Sequence, residues 1–193
     1  MLKKIFLICF FSQSLIFAQI NISRISIDFN YIKNYQFIEN YRYSFSPEFK
    51  LGGKLFSDKY EWEIFILYWN DGINKPLNGV VDYTTFNYSD YTFGSNIYFF
   101  PFKKGFQLLF NGGLAYKHII QKYISGSQTG NPIDNRFYNI LSLDLGCGIG
   151  QELNSTIRIR AEFNVFISLL GDTTNIDEFN NSSVKFGFDY SLQ

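Results

Sequence analysis

The chain predicts an all-β fold, an eight-stranded antiparallel up-and-down β-barrel that crosses a membrane. Three observations carry this. Apolar and polar residues alternate with period two through most of the sequence, the mark of strands with two unlike faces. One face of each such strand lacks Asp, Glu, Lys and Arg. The links between strands alternate long and short, as in barrels with tight turns on one side of a membrane and longer loops on the other. Composition agrees, since aromatic residues make up 20% of the chain and there are only 4 prolines.

The first 18 residues read as a secretory signal peptide. Lys3 and Lys4 give a positive start, Ile5 to Phe11 an apolar run continued by Leu15-Ile16-Phe17, and Ala18 a small residue before the cut. Ser12-Gln13-Ser14 breaks the run, which is shorter than the roughly 20 residues of a membrane helix. Residues 19–193 then form one domain. Lys+Arg and Asp+Glu balance at 17 each, so no basic excess points to nucleic acid. Cys147 is the one cysteine after the signal, so no intrachain disulfide staples the domain. A bilayer around a closed barrel supplies the missing stabilisation.

In order, strands are predicted over 24–32, 41–56, 60–70, 91–100, 106–118, 138–150, 156–169 and 184–192. Ser57-Asp58-Lys59, Pro101 to Gly105 and Gln151 to Ser155 are the short links. Lys33 to Asn40, Asp71 to Asp90, Gln121 to Arg136 and Gly171 to Asn181 are the long ones, with Val81 to Tyr88 able to extend the fourth strand. An even strand number returns the chain to the side it entered. The last strand shows the pattern best: Val184, Phe186, Phe188, Tyr190 and Leu192 alternate with Lys185, Gly187, Asp189 and Ser191. It is expected to pair with the first, because an open edge is not viable in lipid.

Alternation alone does not say which face is inside. Phe, Tyr, Trp, Leu and Ile crowd the uncharged face. The other face carries Arg24, Asp28, Arg42, Glu48, Lys50, Lys54, Glu61, Glu63, Lys117, Asp144, Arg158, Arg160, Glu162, Lys185 and Asp189, beside Ser26, Gly52, Gly94, Gly113, Gly146, Gly148, Gly150 and Gly187. An eight-stranded lumen is only just wide enough for side chains, so small residues and paired charges belong inside. With strands alternating in direction, Tyr31, Tyr41, Tyr43, Tyr68, Tyr91 and Tyr116 fall at upper ends of the outward face. Tyr60, Trp62, Phe99, Phe106 and Tyr190 fall at lower ends. Two such girdles match the two interfaces of a bilayer.

Taken together, these features resemble the small outer-membrane barrels of the OmpA/OmpX type, the outer membrane protein β-barrel domain family. The resemblance covers essentially all of residues 19–193. It implies an address in the bacterial outer membrane, short periplasmic turns, long outer loops and contact with outer-membrane lipids. It also implies that the last strand is read by the barrel assembly machinery. Lys185, Gly187, Tyr190 and Leu192 match the family's spacing for that signal, although Gln193 follows where relatives often end on an aromatic residue.

Little in the sequence suggests catalysis. His118 is the one histidine, next to Lys117 near an upper strand end, and no serine partner is apparent. It reads as an interfacial residue. Gly146-Cys147-Gly148-Ile149-Gly150 lacks the helix a phosphate loop needs, and Cys147 faces lipid. Asp172, Asp177 and Glu178 lack a calcium-loop spacing. The richest constellation is Arg24, Asp28, Arg158, Arg160, Glu162, Lys185 and Asp189, read as an ion-pair plug on strands that flank one another after closure. The expected role is therefore a non-enzymatic, cofactor-free monomer, structural or surface-binding through its outer loops. A small pore, a lipid-modifying barrel enzyme and a soluble ligand-binding barrel are the alternatives.

Overall fold

The computed structural model describes residues 22–34, 43–55, 57, 59–76, 83–102, 105–125, 135–173 and 179–192. The eight strands are β1 (Arg24–Asn34), β2 (Tyr43–Lys54), β3 (Tyr60–Pro76), β4 (Tyr83–Phe99), β5 (Phe106–Ser125), β6 (Arg136–Glu152), β7 (Ile157–Gly171) and β8 (Asn181–Ser191). Each pairs antiparallel with the next, and β8 returns to β1, closing the barrel. At the seam Arg24 lies opposite Ser191, Asp28 opposite Gly187 and Asn34 opposite Asn181. The signal segment, Tyr41, Arg42, Asp177, Glu178 and Gln193 lie outside the described residues.

β3, β4 and β5 run farther than the sequence pattern indicates. The ladder between β3 and β4 continues from Tyr60–Phe99 to Pro76–Tyr83. Residues 71–76, read from sequence as a link, are therefore strand, and the third connection shrinks to residues 77–82. That is no longer than the 100–105 connection at the opposite end, so the long–short contrast is weaker here than expected. The reason is that Asn70 to Lys75 is polar throughout, apart from Ile73, and carries no apolar alternation to read. The backbone ladder carries these residues on in the sheet. β5 likewise continues past His118 to Ser125.

Side chains sort by parity. On β8, Val184, Phe186, Phe188 and Tyr190 are exposed while Lys185, Gly187 and Asp189 are buried. Outward residues include Phe45 (79% exposed), Ile66 and Ile97, and none of the buried charged groups shares their face. On β5 the outward apolar series runs from Phe106 to Tyr116. At roughly 3.4 Å per residue and a tilt of roughly 40°, that is a belt about 26 Å tall, the height of a bilayer's hydrocarbon. Cross-strand ring pairs mark its borders. Tyr68 and Tyr91 lie 4.9 Å apart and Tyr31 and Phe45 5.2 Å apart at the upper edge, and Tyr60 and Phe99 lie 5.1 Å apart at the lower.

Trp62 departs from the expected lower girdle, because it is buried. The register sets Gly53 across from it, a partner with no side chain to hold the indole off the wall. The lumen also departs from a purely polar filling. Ile32, Phe65, Leu67, Trp69, Ala115 and Phe166 point inward and pack together in its upper half. Phe65 lies over Gly94, where a Cβ would come within 2.3 Å of its ring.

The seam and the belt are separately testable. Gly187→Ala would set a Cβ 1.9 Å from Asp28 Oδ1, so the carboxylate must turn away from its partners Lys50 and Arg160 to make room. Gel migration with and without heating should show a sharp loss of folded barrel. Phe188→Lys should cost about 2–4 kcal/mol in urea unfolding from lipid vesicles if the residue meets the bilayer near its midplane. An unchanged midpoint would place β8 in another register.

Candidate functional site

The best-defined polar assembly lies inside the lower half of the barrel. Arg160 on β7 is its hub. Its Nη2 donates to Asp28 Oδ1 at 3.4 Å and lies 2.9 Å from Asp189 Oδ1, while Nη1 lies 2.9 Å from Glu162 Oε1 and 3.2 Å from Glu63 Oε1. Arg158, two residues along the same face, donates through Nε to Asp189 Oδ2 at 2.6 Å and through Nη2 to Glu61 Oε2 at 2.8 Å. Arg24 pairs with Glu61 and Glu63. Lys50 sits 2.6 Å from Asp28 Oδ2 and 3.3 Å from both Glu48 and Glu63. Lys185 pairs with Glu48 at 3.0 Å.

Neutral donors join these charges into one network. Lys50 Nζ donates to Tyr98 Oη at 3.1 Å, and Tyr98 Oη donates to Glu162 Oε2 at 3.1 Å. Asn111 Nδ2 donates to the same oxygen. Asn164 bridges Asn111 and Asp144, and Asn96 donates to Asp144 at 2.7 Å. The cations also rest on ring faces: Arg158 over Phe100 at 4.8 Å, Arg160 over Tyr98 at 5.3 Å and Lys185 over Phe65 at 5.4 Å.

All seven residues singled out from the sequence (Arg24, Asp28, Arg158, Arg160, Glu162, Lys185 and Asp189) lie buried in this lumen. Six lie in the lower cluster, and Lys185 joins it through Glu48. Sequence reasoning placed Lys50, Glu61 and Glu63 on the inward face but not in the constellation. Glu61 and Glu63 reach Arg24, Arg158 and Arg160 on strands that do not pair with β3, so adjacent-strand pairing gives no sign of them, whereas Lys50 meets Asp28 and Glu63 on the two strands beside its own. Tyr98 and Phe100 were missed altogether. As large aromatics they carry no signal that distinguishes lumen from lipid, except that they hold the charged parity of β4.

Both ends of the lumen are defined. Toward the short connections it opens into a vestibule of about 390 Å³ lined by Arg24, Lys54, Glu61, Glu152 and Arg158. Toward the long connections Tyr88, Ile119, Ile140 and Phe179 pack as an apolar cap. Phe179 comes from the segment between β7 and β8, and Lys117 Nζ donates to its carbonyl at 3.0 Å. Asn180 Oδ1 holds the same segment by accepting from the Ser168 backbone N–H.

On the outer wall, His118 has a hydrogen-bond partner that the sequence did not indicate. Its Nδ1 lies 2.9 Å from Asn139 Oδ1, which also accepts from Tyr116 Oη at 2.6 Å. Asp172, whose sequence setting lacks a calcium-loop spacing, accepts from Asn139 through both backbone N–H and side-chain Nδ2. No serine hydroxyl is among the partners of His118 in the described residues. Nor do three His, Cys, Asp or Glu side chains there gather as metal ligands. Cys147 is exposed on the outward face. In the last strand, Lys185 and Gly187 point inward, and Tyr190 and Leu192 are exposed.

The network makes a stability prediction. Arg160→Met leaves Asp28, Glu63, Glu162 and Asp189 short of a common cation, and should destabilise the folded barrel by about 3–5 kcal/mol in urea titration. Lys54→Met, at the exposed lower rim, should change it by less than about 1 kcal/mol.

No protein-family model and no curated protein matches the chain in sequence. Solved structures do match in shape. Neisserial surface protein A superposes with a TM-score of 0.64 at 10% identity, covering 88% of this chain and 96% of that one. A major outer membrane protein from Thermus thermophilus gives 0.57 at 9% identity, covering 89% and 100%. Ail, the attachment invasion locus protein of Yersinia pestis, gives 0.50 at 12% identity, again covering 89% and 100%. With its closed antiparallel ring, inward charges and outward apolar belt, the chain has the fold of the small eight-stranded outer-membrane β-barrels.

Proposed function

We propose that this chain is a non-enzymatic, monomeric, integral barrel of the bacterial outer membrane. Residues 1–18 are its cleaved signal peptide and 19–193 its barrel domain. The observation that carries the reading is inverted polarity. Charged groups such as Asp28, Glu63 and Lys50 are shut inside, while Phe45, Phe49, Phe186 and Phe188 stand exposed outside. A water-soluble protein rarely leaves more than a few hundred Å² of contiguous apolar surface bare. Lipid is the solvent that favours this arrangement.

The lumen network, with Arg24, Asp28, Arg158, Arg160, Glu162, Lys185 and Asp189 among its members, acts as a brace. Paired charges below and the Phe179 cap above favour a brace over a pore. The barrel assembly machinery reads the last strand through Lys185, Gly187, Tyr190 and Leu192. Work toward partners is done at the upper end, where β3 and β4 project beyond the belt and residues 77–82 and 126–134 connect strands. The likeness to a protein named for attachment supports surface binding.

Fractionation of producing cells should place the chain in the outer membrane, with heat-dependent gel migration; recovery in a soluble fraction would overturn the proposal. An epitope inserted within 126–134 should label on intact cells, and one within 153–156 only after permeabilisation. Planar bilayers holding the purified chain should show no conductance steps. Deleting 77–82 or 126–134 should spare folding but lower adhesion of producing cells to host-cell monolayers.

A further inference from the structure

The lumen network, its lower vestibule and the Phe179 cap all serve the brace described above. The cluster around His118 does not. It faces the opposite way, at the upper edge of the apolar belt, with Tyr91 beside His118 in the ladder on one side and Asn139 on the other.

Its hydrogen bonds form a directed chain. The Asp172 carboxylate can only accept, so both groups that Asn139 offers it are donors, its backbone N–H and its Nδ2. That fixes the Asn139 amide, with Oδ1 turned toward β5. Oδ1 can also only accept, so the ring nitrogen 2.9 Å away is a donor and the His118 proton sits on Nδ1. Phe137 lies nearly parallel to the imidazole, its centroid 6.3 Å off at 15°, and fixes the ring plane. One edge and one face of the ring are thus held, and Nε2 has no partner among the described residues. In the neutral ring it is an acceptor. Asp172, exposed on the far side of Asn139, keeps lone pairs that Asn139 does not use. Tyr116, Asn139, Asp172 and Phe137 together orient one nitrogen that no described residue engages.

We propose that His118 and Asp172 form a binding site for a lipid headgroup that donates hydrogen bonds, seated where the belt meets the aqueous layer. The inference rests on the membrane reading above. The site offers acceptors and one negative charge, so it takes hydroxyl or ammonium donors. Two sources carry that chemistry: the sugar hydroxyls of a glycolipid and the ammonium of an ethanolamine phospholipid. A choline headgroup has the same phosphate but no donor hydrogen, and should not bind.

The chain's one histidine makes the test direct. The full chain, labelled with nitrogen-15 in histidine, is folded into nanodiscs of phosphatidylcholine alone. It is also folded into the same bilayer doped with phosphatidylethanolamine or with lipopolysaccharide. Spectra are taken where the ring is neutral. The proton should sit on Nδ1 in every bilayer, and the Nε2 resonance should move toward its hydrogen-bonded position only in a doped one. The arm that moves it names the source; movement in both assigns the shared chemistry. Asn139→Ala should free the tautomer and remove the lipid-dependent shift, with Asp172→Ala as the second variant should the first not fold. His118→Phe should lower co-purification of the same lipid roughly two- to tenfold, as expected for one lost hydrogen bond. A proton on Nε2, a resonance indifferent to lipid, or a shift unchanged in both variants would overturn the site. Failure to enter any nanodisc would instead overturn the membrane reading.

Discussion

A ring of eight strands encloses little more than the volume of its own inward side chains, and no charge placed there can keep its water. The rest of the molecule follows from this. Each inward cation needs an anion within reach, and each strand must deliver its share at the right height. Arg24, Lys50, Glu63, Tyr98, Asn111, Asp144, Arg160 and Asp189 come from the eight strands in turn and meet in one network. The network is therefore a statement about registers. Moving any one strand by a pair of residues would separate several partners at once, so local ladder hydrogen bonds and cross-lumen ion pairs specify the same arrangement.

The two halves of the lumen solve the filling problem differently. Below, charge meets charge. Above, Phe65 and Phe166 meet edge to face, and Lys117 and Lys185 lie over their rings. An apolar upper half limits how many counter-charges the chain must supply. It also gives the two lysines a surface that tolerates a cation without a carboxylate in direct contact, although Lys185 has Glu48 as well. The aromatic layer needs space, and Gly94 provides it beneath the Phe65 ring.

The sequence was legible where the physics is periodic and one-sided. Lipid forbids charge, so the outward parity of β8 or β7 could be read residue by residue, and with it the strand number and the closure. Three kinds of fact were hidden. Strand length beyond the belt was one: Asn70 to Lys75 is polar apart from Ile73, and period two carries no polarity contrast there. Identity across the lumen was another. Glu63 and Arg160 lie far apart in sequence on strands that do not pair, and nothing local says that they touch. Rings were the third. Tyr98 and Phe65 look like belt residues by type, and only the charge on neighbouring positions of the same parity reveals that they point inward. His118 belongs with these. Its partners Asn139 and Asp172 come from β6 and from the residue just past β7, so the site exists only once β5, β6 and β7 stand side by side.

The seam between the first and last strands has a further meaning for how the barrel finishes. A ring can close only when the final strand finds the first, and in a uniform sheet many offsets would look alike to the backbone. Here the Asp28 carboxylate occupies the space that a side chain at position 187 would fill. Slipping by one residue would turn Lys185 and Asp189 toward lipid. Slipping by two keeps the faces but sets Asp28 opposite Asp189 or Lys185, where a full side chain replaces the bare backbone. The glycine thus works as an index mark, a notch that seats the Asp28 carboxylate at this offset, so the closing pair carries a local sign of the alignment of the whole ring.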